Sequence, residues 1–72
     1  MEHTWHVKQE GNLCSIRRDD EQVIQQCPRS RLRQQMNPHL VWDETFDDLC
    51  RQLDATGEGT VVAAQVGKLF QL

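Results

Sequence analysis

The sequence predicts a mainly α-helical chain with a small β-hairpin at the N-terminus and a helix–loop–helix unit at the C-terminal end. Three observations lead to this fold class. Apolar residues recur at helical spacing in the second half of the chain, a polar stretch with two glycines follows them, and apolar and polar residues alternate near the start. We expect one small domain over residues 1–72, divided into an N-terminal extension (1–36) and the helix–loop–helix unit (37–72).

The predicted hairpin covers residues 4–17. In TWHVKQ (4–9), Trp5 and Val7 alternate with polar residues, EGN (10–12) is a turn signal, and LCSIR (13–17) can return as the second strand.

Short helical segments are predicted for the middle of the chain. Asp19 precedes Gln22 by three residues, which is a capping-box pattern, and Val23, Ile24 and Cys27 fall on one helical face, so we predict a helix over 20–27. A third strand over QVIQ is the alternative. Ser30 can cap a further helical turn that Asn37 and Pro38 end.

The main helix is predicted over residues 38–53. Pro38 suits the first helical position, and acidic residues early in the helix complement its dipole. One continuous apolar stripe follows, formed by Trp42, Phe46, Leu49, Cys50 and Leu53. Gly57 and Gly59 are poor helix formers, so we expect the helix to end near Leu53.

The stretch LDATGEGTVVAAQV (53–66) offers oxygen ligands at the spacing of a twelve-residue cation loop that starts at Asp54. Gly59 stands where such a loop turns sharply, and apolar residues occupy the seven flanking helical positions that such a unit needs. Residues 45–72 therefore resemble a single, degenerate EF-hand, whose loop pattern is D-x-[DN]-x-[DN]-G-x5-E. The resemblance implies calcium ligation by Asp54, Thr56, Glu58, Thr60 and Gln65.

Calcium binding is predicted to be weak or absent. Gln65 stands where the family has a bidentate Glu, and Thr56 replaces an Asp or Asn, so only two carboxylates remain in the loop. Affinity in these loops follows ligand charge and rigidity. We expect no other cofactor, because the His and Cys residues lack the C-x2-C spacing typical of structural zinc.

The resemblance implies a non-enzymatic interaction or regulatory module. Its two helices would open a cleft for the apolar face of a partner helix or a second EF-hand, and a homodimer through that cleft is a further option. The residues expected to line the cleft are Phe46, Leu49, Leu53, Val66, Leu69 and Phe70.

The alternative fold is a compact α+β domain with an N-terminal meander, one main helix and a final strand. TGEG would then be a turn, and Val61, Val62 and Val66 favour a strand. Such a chain would act as a small inhibitor or accessory protein that binds a single protein partner through charged surfaces.

Composition excludes several classes of function. A formal net charge of -3 argues against nucleic-acid binding, and no apolar run is long enough to span a membrane. The polar start lacks the apolar core of a secretory signal, so we expect a cytoplasmic or nuclear protein. No phosphate loop or catalytic signature is present, and a chain of 72 residues has little room for a closed cleft. We therefore predict that the chain is not an enzyme.

Overall fold

The N-terminal half forms three neighbouring strands of one antiparallel sheet. The computed structural model describes residues 2–20, 22, 24–35 and 43–64. Strand β1 (Glu2–Glu10) pairs with β2 (Leu13–Arg18), and β2 pairs with β3 (Gln25–Pro28). Gly11 (φ +61°) lies first in the two-residue β1–β2 connection, which is the glycine position of a type II′ hairpin turn.

The second half supplies a helix and the fourth strand. A 3-10 turn (Arg29–Arg31) and one turn of helix, α1 (Leu32–Gln35), follow β3. Helix α2 spans Asp43–Thr56, and Gly57 (φ +79°) reverses the chain into β4 (Glu58–Ala64). Strand β4 pairs antiparallel with β1, so the strand order is β3-β2-β1-β4. None of the helices in the described residues is long and apolar enough to cross a membrane.

The core lies between one face of the sheet and the helices. It consists of Val7, Cys14, Ile16, Cys27, Leu32, Leu49, Leu53 and Val61, with Trp5 and Phe46 packed against it. Gly59 allows a close approach of β4 to α2, because a Cβ atom at this position would lie 2.7 Å from Leu49 Cδ1. The glycine thus fixes how tightly the helix can sit on the end of the sheet.

The prediction of a mainly helical fold is wrong. The chain is an α+β protein with a four-stranded antiparallel sheet, which is the arrangement of the alternative fold. Residues 58–64, rich in β-branched and small side chains, pair with β1, so most of the predicted loop is a strand, and the exit helix predicted after it lies outside the described residues. The hairpin over 4–17 is present.

Two further helix predictions differ from the structure, one in its middle segment and one at the end of the main helix. None of the described residues of 20–27 is helical, and Gln25–Pro28 pairs with β2 and places Cys27 opposite Cys14. Helix α2 continues three residues past Leu53 and ends where Gly57 adopts a positive φ. The predicted helix start at residue 38 lies outside the described residues.

Candidate functional site at the edge of strand β4

The residues predicted to ligate calcium are divided between a helix and a strand. Asp54 and Thr56 lie in the last turn of α2, whereas Glu58 and Thr60 lie in β4. Gln65 lies outside the described residues. The twelve-residue loop is therefore replaced by a tight helix-to-strand reversal, and calcium binding by these side chains stays a prediction.

Asp54 serves as one arm of a structural clamp. Arg29 Nη1 lies 2.7 Å from Asp54 Oδ1 and also 2.7 Å from Gln9 Oε1, so one guanidinium joins the start of the 3-10 turn to β1 and α2. The hydrogen bond from Arg29 lowers the pKa of Asp54 below its ordinary value. The Arg29 guanidinium supplies the positive charge beside this carboxylate, which explains why an acidic residue is suited to this position.

The apolar residues assigned to a partner cleft belong to the protein's own core. Leu49 and Leu53 are buried against the sheet, and Phe46 is half-buried with the Arg33 guanidinium 5.1 Å from its ring centroid. Leu49 and Leu53 cannot receive a partner helix while the sheet covers them. Val66, Leu69 and Phe70 lie outside the described residues.

A cluster of metal-type ligands connects the ends of β1 and β2. His3 Nδ1 lies 3.2 Å from Asp19 Oδ1 and 3.8 Å from Asp20 Oδ2. These carboxylates already have partners, because Asp19 accepts the Thr4 amide and Asp20 pairs with Arg18. The Thr4 hydrogen bond, followed by the interaction with His3, lowers the pKa of Asp19. The contacts are those of a hydrogen-bonded turn.

A shallow basin of about 520 Å³ is lined by residues of β1, β2 and β4 together with Gln52 and Thr56 of α2. Charges of both signs lie in and beside the basin. Lys8 pairs with Glu58 of β4 in the strand register, and its Nζ lies 3.6 Å from Glu10 Oε1. Arg17 Nη1 donates to the Arg18 carbonyl oxygen at 3.3 Å. Charged groups of both signs and hydroxyls share this surface, which is typical of a solvated sheet face. The basin is larger than the groove described below but offers less specific chemistry.

Strand β4 forms one edge of the sheet, and its hydrogen-bonding groups alternate between β1 and the outside. The Gln9 amide donates to the Gly57 carbonyl at 2.7 Å, which makes residues 57, 59, 61 and 63 face β1 in this ladder. The amide and carbonyl groups of residues 58, 60, 62 and 64 therefore point away from the sheet. An edge of this kind can accept a further strand.

Two side chains of α2 occupy the first half of this edge. Gln52 Nε2 donates to the Thr60 carbonyl oxygen at 3.2 Å, and Gln52 Oε1 accepts the Thr60 amide at 3.0 Å. The Thr56 hydroxyl oxygen lies 2.8 Å from the Glu58 carbonyl oxygen and 3.2 Å from the Glu58 amide nitrogen. The side-chain amide and hydroxyl thus take the place of a neighbouring strand.

The second half of the edge faces carboxylates instead. Four helical residues rise about 6 Å and two strand residues about 6.6 Å, so an i, i+4 row on α2 keeps pace with alternate residues of β4. After Thr56 and Gln52, this row continues with Asp48 and Glu44. A carboxylate accepts hydrogen bonds but has no proton to donate, so it cannot satisfy an outward carbonyl as Gln52 does.

A groove marks the place where this cover ends. Its volume is about 490 Å³, and Glu44, Asp48 and Arg51 face Val62 across it, with Gln52 and Thr60 also in its lining. Val62 is 58% exposed. Among the described residues, no side chain bonds to the Val62 backbone in the way that Gln52 bonds to Thr60. The groove therefore combines an open strand edge with an acidic helical wall.

Comparison of the chain with protein-family models, curated proteins and solved structures finds no match. Its function is therefore inferred from geometry and chemistry.

Sequence patterns alone did not single out the residues of this groove. Glu44 and Asp48 lie off the apolar stripe, which by itself indicates only a solvated helix face, and no pattern indicates a role for Gln52. The available signal was the four-residue spacing of Glu44, Asp48, Gln52 and Thr56, which indicates a polar row beside the apolar stripe. That row gains meaning only when β4 is known to lie beside it.

Proposed function

We propose that this chain is a non-enzymatic protein-binding module that adds an extended segment of a partner protein to the β4 edge. The single observation that carries the proposal is the half-covered edge: α2 closes it at Glu58 and Thr60 and leaves a groove beside Val62. Strand addition is a common mode of peptide recognition, in which backbone hydrogen bonds supply affinity and side-chain contacts supply specificity.

The proposal replaces the binding of a partner helix in an apolar cleft. It keeps the broader hypothesis of a small accessory protein that binds one partner through a charged surface, and it requires no calcium. Each added backbone hydrogen bond contributes about 0.5–1.5 kcal/mol net, and ordering the peptide opposes this gain. We therefore expect micromolar or weaker affinity and rapid exchange.

Selection from a displayed library of random dodecapeptides, followed by amide chemical shift mapping, tests the proposal. Selected peptides should perturb the backbone resonances of residues 60–64 and of the first two turns of α2. Perturbations concentrated on β3, or a selection that enriches no peptide, would contradict strand addition.

A substitution of Val62 separates backbone pairing from side-chain contact. Val62→Pro removes an outward N–H that no strand within the described residues uses, and edge strands tolerate proline at such positions. The variant should stay folded and lose the selected peptides. Val62→Thr retains the N–H and a β-branched shape, so it is the matched control and should still bind. Equal binding by both variants would exclude pairing at this edge.

A further inference from the structure

We infer that the segment recognised at the β4 edge carries two basic side chains separated by one residue, which pair with Asp48 and Glu44. This inference rests on the proposed strand addition and names the chemistry of the partner. Asp48 and Glu44 line the groove together with Val62. Both carboxylates are on the exposed surface of the helix, with the Asp48 side chain 67% accessible to solvent.

The spacing of the two carboxylates sets the spacing in the partner. Side chains at alternate positions of an added strand project to the same face about 6.6 Å apart. Asp48 and Glu44 are separated by about 6 Å along the axis of α2. Two partner residues at i and i+2 on the helical side of the added strand therefore meet one carboxylate each.

Charge selects a cation for both positions. The groove contains two carboxylates and one guanidinium, so its lining has a net negative charge, and the exposed Arg51 Nη2 lies 3.6 Å from Asp48 Oδ1. A lysine or arginine at each position forms one exposed ion pair, which gives two ion pairs in total. An acidic side chain at either position is repelled by the carboxylate that it faces. The effect is expected to weaken with salt because all these groups are solvated.

A second copy of this chain does not provide such a segment. Symmetric pairing of two β4 edges would bring together two identical acidic helices. The alternating arginines Arg29, Arg31 and Arg33 have the required spacing but belong to helical turns, and Leu32 between them is buried in the core. The structure thus favours a different chain with a basic extended segment.

Three acetylated and amidated octapeptides probe this inference with the full-length protein. TKTKVTVT places its lysines two residues apart, TKKTVTVT places them on opposite faces of a strand, and TETEVTVT reverses the charge. TKTKVTVT should bind about 2- to 30-fold more tightly than the glutamate peptide, as expected for two exposed ion pairs. Titrations followed by amide shifts at Val62 and Asp48 measure the three affinities.

Charge reversal of the helical wall supplies the decisive variant. In Glu44→Lys/Asp48→Lys, the preference should switch from TKTKVTVT to TETEVTVT. Asp47→Lys is the matched control, because Asp47 is exposed on the same helix but absent from the groove lining, and it should retain the preference for lysine. Circular dichroism and thermal unfolding establish that each variant is folded.

The outcomes separate this inference from the proposed function. A lysine preference that follows residues 44 and 48 supports both. Equal affinity for all three peptides, with loss of binding in Val62→Pro, overturns the charge inference and leaves strand addition standing. Absence of shifts at residues 60–64 with every peptide, or a dimer formed through β4 in sedimentation experiments, overturns both.

Discussion

The two edges of the sheet are protected against unwanted pairing in different ways. At the β3 edge, protection is built into the strand itself, which has only four residues and ends at Pro28. The backbone amide of Arg29 donates to the Asn12 carbonyl oxygen. The backbone N–H and C=O groups of residues 25, 27 and 29 therefore face β2, and those of residues 26 and 28 face outward. Pro28 has no N–H to offer, so the outward amide within the strand is that of Gln26.

At the β4 edge, protection is supplied by another element. The seven-residue strand has no proline, and Gln52 and Thr56 of α2 bond to its outward groups at Thr60 and Glu58. The β3 edge is shortened by its own sequence and offers one outward amide within the strand, that of Gln26. A strand covered by side chains of a helix is closed only as far as those side chains have the right chemistry, which explains how the proposed binding site and a protected edge can share one strand.

The largest effect is expected from Gly59→Ala, which disturbs the seat of α2 on β4. A Cβ atom would lie 2.7 Å from Leu49 Cδ1 and 3.1 Å from Gln52 Cβ. Overpacking of this kind costs about 1–3 kcal/mol of unfolding free energy. Urea denaturation measures the change, and in a double-mutant cycle Gly59→Ala should cost less in a Leu49→Ala background than in the wild type, because the clashing side chain is gone. An unchanged midpoint would show that α2 can shift away from β4 at little cost.

Asp48→Gln tests whether side-chain chemistry decides where the cover ends. A glutamine at this position can donate to the Val62 carbonyl, as Gln52 donates to Thr60, and should reduce peptide affinity about 5-fold or more. Asp48→Ala removes the charge without providing a donor, so it should weaken binding less. Isothermal titration with TKTKVTVT compares the two variants, and stronger binding by the glutamine variant would contradict the cover model.

Gln52→Ala is the converse change and opens the edge by one step. The loss of two side-chain hydrogen bonds to Thr60 should lower the unfolding free energy by about 1 kcal/mol. Hydrogen exchange at the Thr60 amide should accelerate, while the Val61 amide, which faces β1, serves as the internal reference. Unchanged protection at Thr60 would mean that Gln52 does not shield this group in solution.

Pro28→Thr removes the built-in protection of the other edge. The substitution adds an outward N–H to the strand. It also raises the conformational entropy of the unfolded chain, so the unfolding free energy should fall by about 0.4–1 kcal/mol. We expect increased self-association at high concentration, measured by light scattering, because β3 gains a complete edge. Ser30→Thr is an exposed control after the strand and should leave the scattering unchanged.

The smallest effect concerns acid pH and the clamp between Arg29 and Asp54. Because the folded-state pKa of Asp54 is lowered by Arg29, its contribution to stability is present above the unfolded pKa near 4 and is lost as pH falls through the folded value. Asp54→Asn should therefore make stability slightly less sensitive to acid than Asp47→Asn. Urea midpoints between about pH 7 and about pH 3 reveal the difference. Identical acid dependence in the two variants would exclude a role for the clamp.

Local patterns predicted those parts of the fold in which local geometry decides the outcome. The Trp5 and Val7 alternation and the glycine turn led to the hairpin, and the apolar stripe through Leu49 and Leu53 led to α2. Strand β3 was predicted as helix because Cys27 also fits a helical face. Its partner Cys14 is thirteen residues away in the sequence, so the contact that decides the conformation is invisible to a short window.

In strand β4, Gly59 fits two structural interpretations, a loop turn and a close packing contact. Gly59 matches the sharp turn of a calcium loop, but in the structure it is the buried point where β4 approaches Leu49. Glu44, Asp48, Gln52 and Thr56 form a helical row that the sequence shows, yet the distances from these side chains to β4 depend on how the helix packs. The candidate site therefore could not be located before the sheet was known.

Four helical residues and two strand residues advance by nearly the same distance, and this match determines how such a site can change during evolution. Each helical position in the row controls one outward residue of β4, so a single exchange between glutamine and a carboxylate lengthens or shortens the open edge by one two-residue step. The core residues beneath are untouched by these exchanges. Under the proposed strand addition, the length of the recognised segment would thus vary in discrete increments while the architecture stays constant.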